Sequence, residues 1–383
     1  MGTLYIDRKG ISLTMRDRVI ELRADGERLR SVPAALLDRV VLRADTQLTS
    51  GTLAALADAG IGLLALGGRG GQRVAHLLGK PARDARARIA QCQRMNDEPW
   101  ATAWCRSVVR AKLGAQQRLL RQAALERLDL RKPLTDAQAT LQTVLNRLPL
   151  AQDRASVRGF EGAGAAAYFA AFTQLFAPAL GFTARRRRPP PDPVNACLSL
   201  GYTLLQAQAE QACWAAGLDP MVGFLHNPAF GRASLACDLV EPWRARIDAW
   251  VWQQFRSRDL RPEHFGNDGA GACLMGKAGR AHFYQAVVPL QRRCAAALRR
   301  HARLLARALA SAADLPGDEH WASDAGDSDQ GIDQGNDADS SAGCNAGSSA
   351  GTDTEDDPAI ADPTCLTDPA AVPRHPPPEG AHR

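Results

Sequence analysis

No stretch of this 383-residue chain approaches the roughly 18 uninterrupted apolar residues that a membrane-spanning helix requires. The opening segment, MGTLYIDRKGISL, carries charge at once and has no apolar signal core, so export is not expected and the reading is cytoplasmic. Nine cysteines are scattered singly, with no CxxC pair among them. An odd number in that pattern argues against a disulfide framework or a zinc finger and favours reduced thiols. A GxxxxGK[ST] phosphate loop is missing too; GGRGGQ at 67–72 has the glycines without the lysine and reads as a turn.

What the chain does have is positive charge, unevenly placed. Residues 311–383 hold 16 Asp/Glu and only two strong bases, Arg374 and Arg383. Removing these from the totals of 47 Lys/Arg and 41 Asp/Glu leaves 45 against 25 in residues 1–310, a net of +20 beneath an overall +6. An excess of that size points to a polyanion, most simply nucleic acid, although charge alone does not separate DNA from RNA. The acidic stretch over 312–383 is rich in Asp, Gly, Ser, Ala and Pro and nearly devoid of large apolar residues. Such a segment buries too little surface to offset its ordering entropy, and a disordered low-complexity tail is expected.

The fold class read from the pattern is α+β. TLYID, ISLTMR, RVIELRA, ERLRSVP and RVVLRA are short β-branched or alternating runs separated by Asp and Gly turn residues. A helix over 50–59 and the apolar strand IGLLAL follow, so residues 1–82 read as a small β-rich domain. From 83 onward the segments are Ala/Leu/Arg/Gln-rich at helical period. Helices are expected at 84–96, 98–128, 135–147, 162–176, 192–216, 235–256 and 280–311. Residues 83–311 therefore form an α-helical domain, with Pro81 near the linker.

Two segments concentrate the chemistry. RGFEGAGAAAYFAAF at 158–172 places one carboxylate, Glu161, at the head of a small-residue helix where burial is expected. A buried carboxylate needs a partner or a metal; at a helix start the dipole alone also favours it. GLDPMVGFLHNPAFGRASLACDLVEPWR at 217–244 sets His226 before a turn, with Ser234 placed to cap a helix carrying Asp238 and Glu241 three apart. One imidazole with carboxylates makes a hard, mostly oxygen site that suits Mg²⁺ or Mn²⁺; a packed core histidine beside a dipole-placed carboxylate fits the same pattern. Arg185, Arg186, Arg187 and Arg188, followed by three prolines, read as an exposed basic loop, either solvated or in contact with a nucleic-acid backbone.

These segments resemble the hallmark blocks of the CRISPR-associated integrase/endonuclease, the universal adaptation nuclease. RGFEGAGAAAYF resembles its glutamate block, NACLSLGYTLL its middle block, and GLDPMVGFLH with GRASLACDLVEPWR its histidine block. MGTLYIDRKG, SVPAALLDRVVL and ADAGIGLLAL resemble its β-domain, so the likeness covers residues 1–310. The resemblance implies a catalytic, metal-binding set of Glu161, His226 and Glu241, with Asp238 a neighbouring accessory carboxylate. It implies double-stranded DNA as the partner, both spacer precursor and array, a homodimer formed through the β-domains, and a small second adaptation subunit. The implied activity is spacer insertion by metal-dependent transesterification, the adaptation stage of antiviral defence. Arg232 and Arg244 are expected to contact phosphates, and Tyr168, seven residues beyond Glu161, to stack on a splayed base. A DNA-binding scaffold without catalysis and a general repair nuclease are the alternatives; the former predicts a broken ligand set.

Overall fold

Alternating strands and two tight hairpins build the N-terminal unit. Its elements are β1 (Gly2–Ile6), β2 (Ile11–Arg16), β3 (Val19–Ala24), β4 (Glu27–Pro33), β5 (Leu37–Leu42), β6 (Thr46–Gln47), α1 (Ser50–Asp58), β7 (Gly62–Gly67) and β8 (Arg73–Leu77). Both hairpins turn on two left-handed residues, Asp17–Arg18 at φ 48° and 61° and Asp25–Gly26 at 51° and 83°. That geometry matches strand twist, which is why Asp and Gly mark it in the sequence. The computed structural model describes residues 2–67, 73–79, 85–187, 189–269, 271–310 and 365–366. The expected linker at Pro81 and the expected disordered tail lie outside them, apart from a two-residue strand, Cys365–Leu366 (β11).

β1, β5 and β7 run parallel, β8 closes one edge antiparallel, and β11 pairs in parallel with β1 at the other. β2, β3 and β4 form an antiparallel meander with β6 alongside β2. Between the two sheets Leu4, Ile6, Val40 and Leu63 meet Ile11, Leu13, Ile20 and Leu22. The alternate residues Tyr5, Val41, Leu64 and Leu66 belong to the core of the helical domain. The parallel sheet is thus buried on both faces, as its near-continuous apolar strands require.

The helical domain contains α2 (Arg86–Met95), α3 (Glu98–Glu126), α4 (Arg131–Arg147), α5 (Arg154–Phe172), α6 (Pro193–Ala215), α7 (Ser234–Val240), α8 (Arg244–Arg256) and α9 (Lys277–Ala310), with a β9 (Phe265–Asn267)–β10 (Cys273–Met275) hairpin. Asp97, Asp153 and Asp192 cap α3, α5 and α6 through their carboxylates. Three differences from the sequence reading follow from such local signals. The cap at Asp153 starts α5 eight residues before the expected position 162, so Glu161 sits mid-helix rather than at its head. Pro242 removes a backbone donor and splits the expected 235–256 helix with a 3₁₀ turn at Glu241–Trp243. The strand β8 and the β9–β10 hairpin are short and went unpredicted.

α6 and α9 fasten this domain to the parallel sheet. Tyr5 stacks on Tyr284 at 4.5 Å between ring centroids, and its hydroxyl bonds to Gln291. Arg280 Nε donates to Asp7 Oδ2 at 2.7 Å. Arg39 lies beneath α6, donating to Ala207 O at 3.2 Å and Gln211 Oε1 at 2.5 Å; burial pulls its pKa down to about 10. Cys92, Cys105, Cys197, Cys213, Cys237, Cys273 and Cys294 are free, and none of the described helices is long and apolar enough to cross a membrane.

Candidate active site

The site forms where α3, α5 and the α7–α8 junction meet. At Gly164 on α5 a Cβ would come within 2.6 Å of Leu113 Cδ2, so the missing side chain lets α5 close onto α3. One turn back on α5 is Glu161, and beside Leu113 is Lys112. The Lys112 ammonium contacts Glu161 Oε1 and lies 2.6 Å from Glu241 Oε2. Lys112 and Glu241 are buried, with 9% and 3% of their side chains exposed, whereas Glu161 keeps 26%.

Glu241 is held from two sides. Its Oε1 accepts from Arg244 Nε at 2.9 Å, while Oε2 has the charge contact with Lys112 but no aligned hydrogen bond. Burial would raise the Glu241 pKa, but Arg244, Lys112 and His226 outweigh it and hold the carboxylate far below its usual range. Burial likewise opposes the Lys112 charge, and Glu241 with Glu161 more than restores it, leaving the ammonium above its ordinary pKa.

His226 is fixed by Asp238. The Asp238 carboxylate is fully buried and accepts from the backbone N–H groups of Phe224, Leu225 and His226 at 2.7, 3.0 and 2.9 Å. It also accepts from His226 Nδ1 at 2.6 Å, which leaves Nε2 as the nitrogen available for a metal or proton. Burial keeps the Asp238 carboxyl above the usual range against these bonds. Gly223 allows the loop this close: a Cβ there would meet the Ser234 backbone at 2.7 Å. Arg158 of α5 donates to Leu225 O at 3.3 Å and Asn227 Oδ1 at 3.4 Å from the other side. Ser234 is not the helix cap expected of it. Ala233 takes that position, and the Ser234 hydroxyl donates to Asn227 O at 3.1 Å.

Among the described residues no group of three His, Cys, Asp or Glu side chains is drawn together tightly enough to hold a metal ion as it stands. The donor chemistry nonetheless fits one. Glu161 and Glu241 already share a cation, the Lys112 ammonium, and Glu241 Oε2 is buried without an aligned donor. Two carboxylates and an imidazole nitrogen suit Mg²⁺ or Mn²⁺. Lys112 is the member the sequence reading missed, because one lysine inside a long helix carries no motif.

The expected DNA contacts divide. Tyr168 is corrected: it is fully buried, stacks on Phe172 and donates to Asp248 Oδ2 at 2.8 Å, so no base reaches it. Two turns beyond Glu161 along the same side of α5, it lies against Asp248 of α8 instead of at the surface. Arg185 is also corrected. Rather than lying exposed it donates to Asn195 Oδ1 at 2.9 Å and Ser199 Oγ at 3.1 Å and covers the Tyr202 ring. Asn195, in the middle block, thereby sets the loop, accepting from Arg186 N at 2.8 Å as well. Arg186 and Arg187 are exposed, and Arg188 lies outside the described residues. Arg244 is tied to Glu241 and lies 4.6 Å over Tyr202; Arg232 is half-buried, bonded to Asn227 O.

Asp248 underpins this platform, accepting from both Tyr168 and Tyr202. Burial pushes its pKa up to about 6, against the two phenol hydrogen bonds. An acid whose native pKa is raised binds its proton in the native state first, so its contribution to stability falls as pH rises from about 4 to 6. In Asp248→Asn, urea midpoints measured across that window are expected to lose this part of the pH slope. An unchanged slope would place the titration elsewhere.

A cavity of about 500 Å³ lies away from the carboxylates, lined by Arg43, His76, Glu210 and Arg280 among others. Glu161 and His226, 26% and 31% exposed, instead open to the surface, as a site for a long polymer would.

Comparison with known proteins bears on the family and the fold. The chain is 32% identical over 293 residues to a CRISPR-associated endonuclease Cas1 of Thermodesulfovibrio yellowstonii, covering 74% of this chain and 89% of the relative. It shares its fold with a casposase bound to integration product (TM-score 0.69, 20% identity, covering 82% of this chain and 92% of that one). A similar fold occurs in a Cas6-RT-Cas1–Cas2 complex (TM-score 0.69, 22% identity, covering 83% of this chain and 35% of that one). The profile of the family described as CRISPR associated protein Cas1 matches residues 4–288, and with the endonuclease relative it shows that this chain belongs to the Cas1 family.

Proposed function

We propose that this chain is a metal-dependent DNA endonuclease and integrase that inserts new spacers into a CRISPR array. The observation that carries the reading is the meeting of Glu161 and Glu241 on one cation, beside a His226 oriented by a buried Asp238. Family membership and a relative named as an endonuclease support it. When bound by Glu161, Glu241 and His226, Mg²⁺ or Mn²⁺ supplies charge stabilisation at the phosphoryl oxygens and a lowered pKa at the attacking hydroxyl. Asp238 fixes the His226 tautomer, and Arg244 keeps Glu241 placed and ionised. The reaction joins a 3′-hydroxyl to phosphorus as the repeat-border P–O bond breaks. Exchange of one phosphodiester for another needs no ATP, which accords with a chain lacking a GxxxxGK[ST] loop.

The assembly proposed with it is a homodimer working with a small second adaptation subunit; the second subunit is supported by the fold shared with a chain of a Cas6-RT-Cas1–Cas2 complex. The test is strand transfer of a duplex with free 3′-ends into a repeat-containing plasmid, with Mg²⁺ or Mn²⁺ against EDTA. Transfer that persists in EDTA rejects the metal reading.

DNA affinity is expected to fall steeply with salt, because a +20 body contacts mainly phosphates. Replacing Arg186 and Arg187 with Ser should shrink the slope of log K against log salt by about 2, one per lost phosphate contact. An unaltered slope removes that loop from the interface.

A further inference from the structure

We infer that Lys112 is a tethered cation that holds Glu161 and Glu241 together in the metal-free protein and must withdraw for a divalent ion to enter. The inference rests on the metal reading above. Its ground is position: the ammonium touches one oxygen of each carboxylate, at the place an ion joining them would occupy. Without a cation there, two carboxylates, one of them buried, would face each other across the helix packing.

An ammonium and a divalent ion between the same two oxygens repel, so both are not held at once. The surroundings suit an exchange. Glu241 keeps Arg244 on its other oxygen whichever cation is present, so the buried carboxylate is never left bare. Glu161, at 26% exposure, opens the pair to solvent on one side. Residue choice agrees, for the chain has five lysines against 42 arginines, and one of the five stands here. A lysine presents a compact charge on a flexible stem that can move aside, where a guanidinium would lock two carboxylates in a rigid fork.

The lysine therefore makes metal affinity adjustable: it shields the site when empty and is a competitor when metal arrives. The experiment uses full-length protein stripped of metal, with Mn²⁺ as the probe, read by the electron paramagnetic resonance signal of free Mn²⁺ and by thermal melting. Lys112→Met and Lys112→Gln are expected to bind Mn²⁺ about tenfold more tightly than wild type, one charge interaction's worth in affinity. They should also melt earlier without metal and recover when Mn²⁺ is added. Folded variants that bind Mn²⁺ equally or more weakly overturn the inference, as do variants unfolded with and without Mn²⁺, which would make Lys112 scaffold alone. Wild-type binding with unchanged variants defeats only this inference, whereas no binding by any of the proteins defeats the metal reading with it.

Discussion

Glu161→Gln is expected to lower Mg²⁺-supported strand transfer on the order of 10³-fold with little change in stability, because it removes one charged donor from the reacting centre. Glu161 is partly exposed, and Lys112 keeps Glu241 as partner when it is neutralised. Glu241→Gln should lose as much activity and cost about 3 kcal/mol of stability as well, since it leaves both Lys112 and Arg244 without their buried counter-charge. His226→Ala is expected to behave like Glu161→Gln, since it removes the proposed ligand ring at a position that is 31% exposed. The check is paired: strand-transfer rates on a repeat-containing plasmid, and urea melts of the same proteins. Wild-type-like transfer by Glu161→Gln or Glu241→Gln would remove these carboxylates from the chemistry. Equal stability of the two variants would mean the Lys112–Glu241–Arg244 group is not the buried cluster described.

Asp238→Ala should be the most damaging change outside that trio. Its carboxylate, itself fully buried, serves three consecutive backbone N–H groups and the partly exposed His226 ring. Truncation leaves those donors unsatisfied and frees the loop that presents His226, at an expected cost of about 3–5 kcal/mol. Activity should fall at least about tenfold even where the protein is folded, because partners that orient a ligating histidine typically contribute on that scale. Urea melts read the first effect, and the His226 ring signals in NMR spectra read the second. A variant of wild-type stability whose His226 ring signals are unmoved would show that the loop is held by Arg158 and Ser234 without Asp238.

How much of this was legible in the sequence depended on distance along the chain. The hairpins announced themselves because Asp17, Asp25 and Gly26 supply left-handed turns within two residues. The helical domain followed from period; around Glu161, His226 and Glu241 the residues alone left a packed core histidine and a dipole-placed carboxylate open, and the resemblance to the family's blocks decided. Boundaries failed where a cap or a proline outweighed the period, at Asp153 and Pro242. Asp238 could be placed near His226, but its three backbone partners depend on how the loop at 224–226 folds back on α7. Lys112 was invisible because its partners are 49 and 129 positions away, the first brought to it by the glycine contact between α3 and α5 and the second by the α7–α8 junction. Tyr168 and Arg185 show the converse. Sequence offers an aromatic and a base near the site, and only packing reveals that both are consumed internally.

The two-faced burial of the β1–β5–β7 sheet limits how this protein can be cut. Excising the β-rich unit at the apparent boundary would leave Tyr5, Val41, Leu64 and Leu66, which sit in the helical core, facing water in one plane. Arg39 would lose its acceptors on α6 and Asp7 its partner on α9. A fragment ending near residue 79 would therefore present a sticky apolar sheet and self-associate. Dimer contacts measured on such a fragment would report the wound rather than the native surface. Split or tagged versions should keep α6 and α9 with the strands they cover, even though the chain between them is more than a hundred residues long.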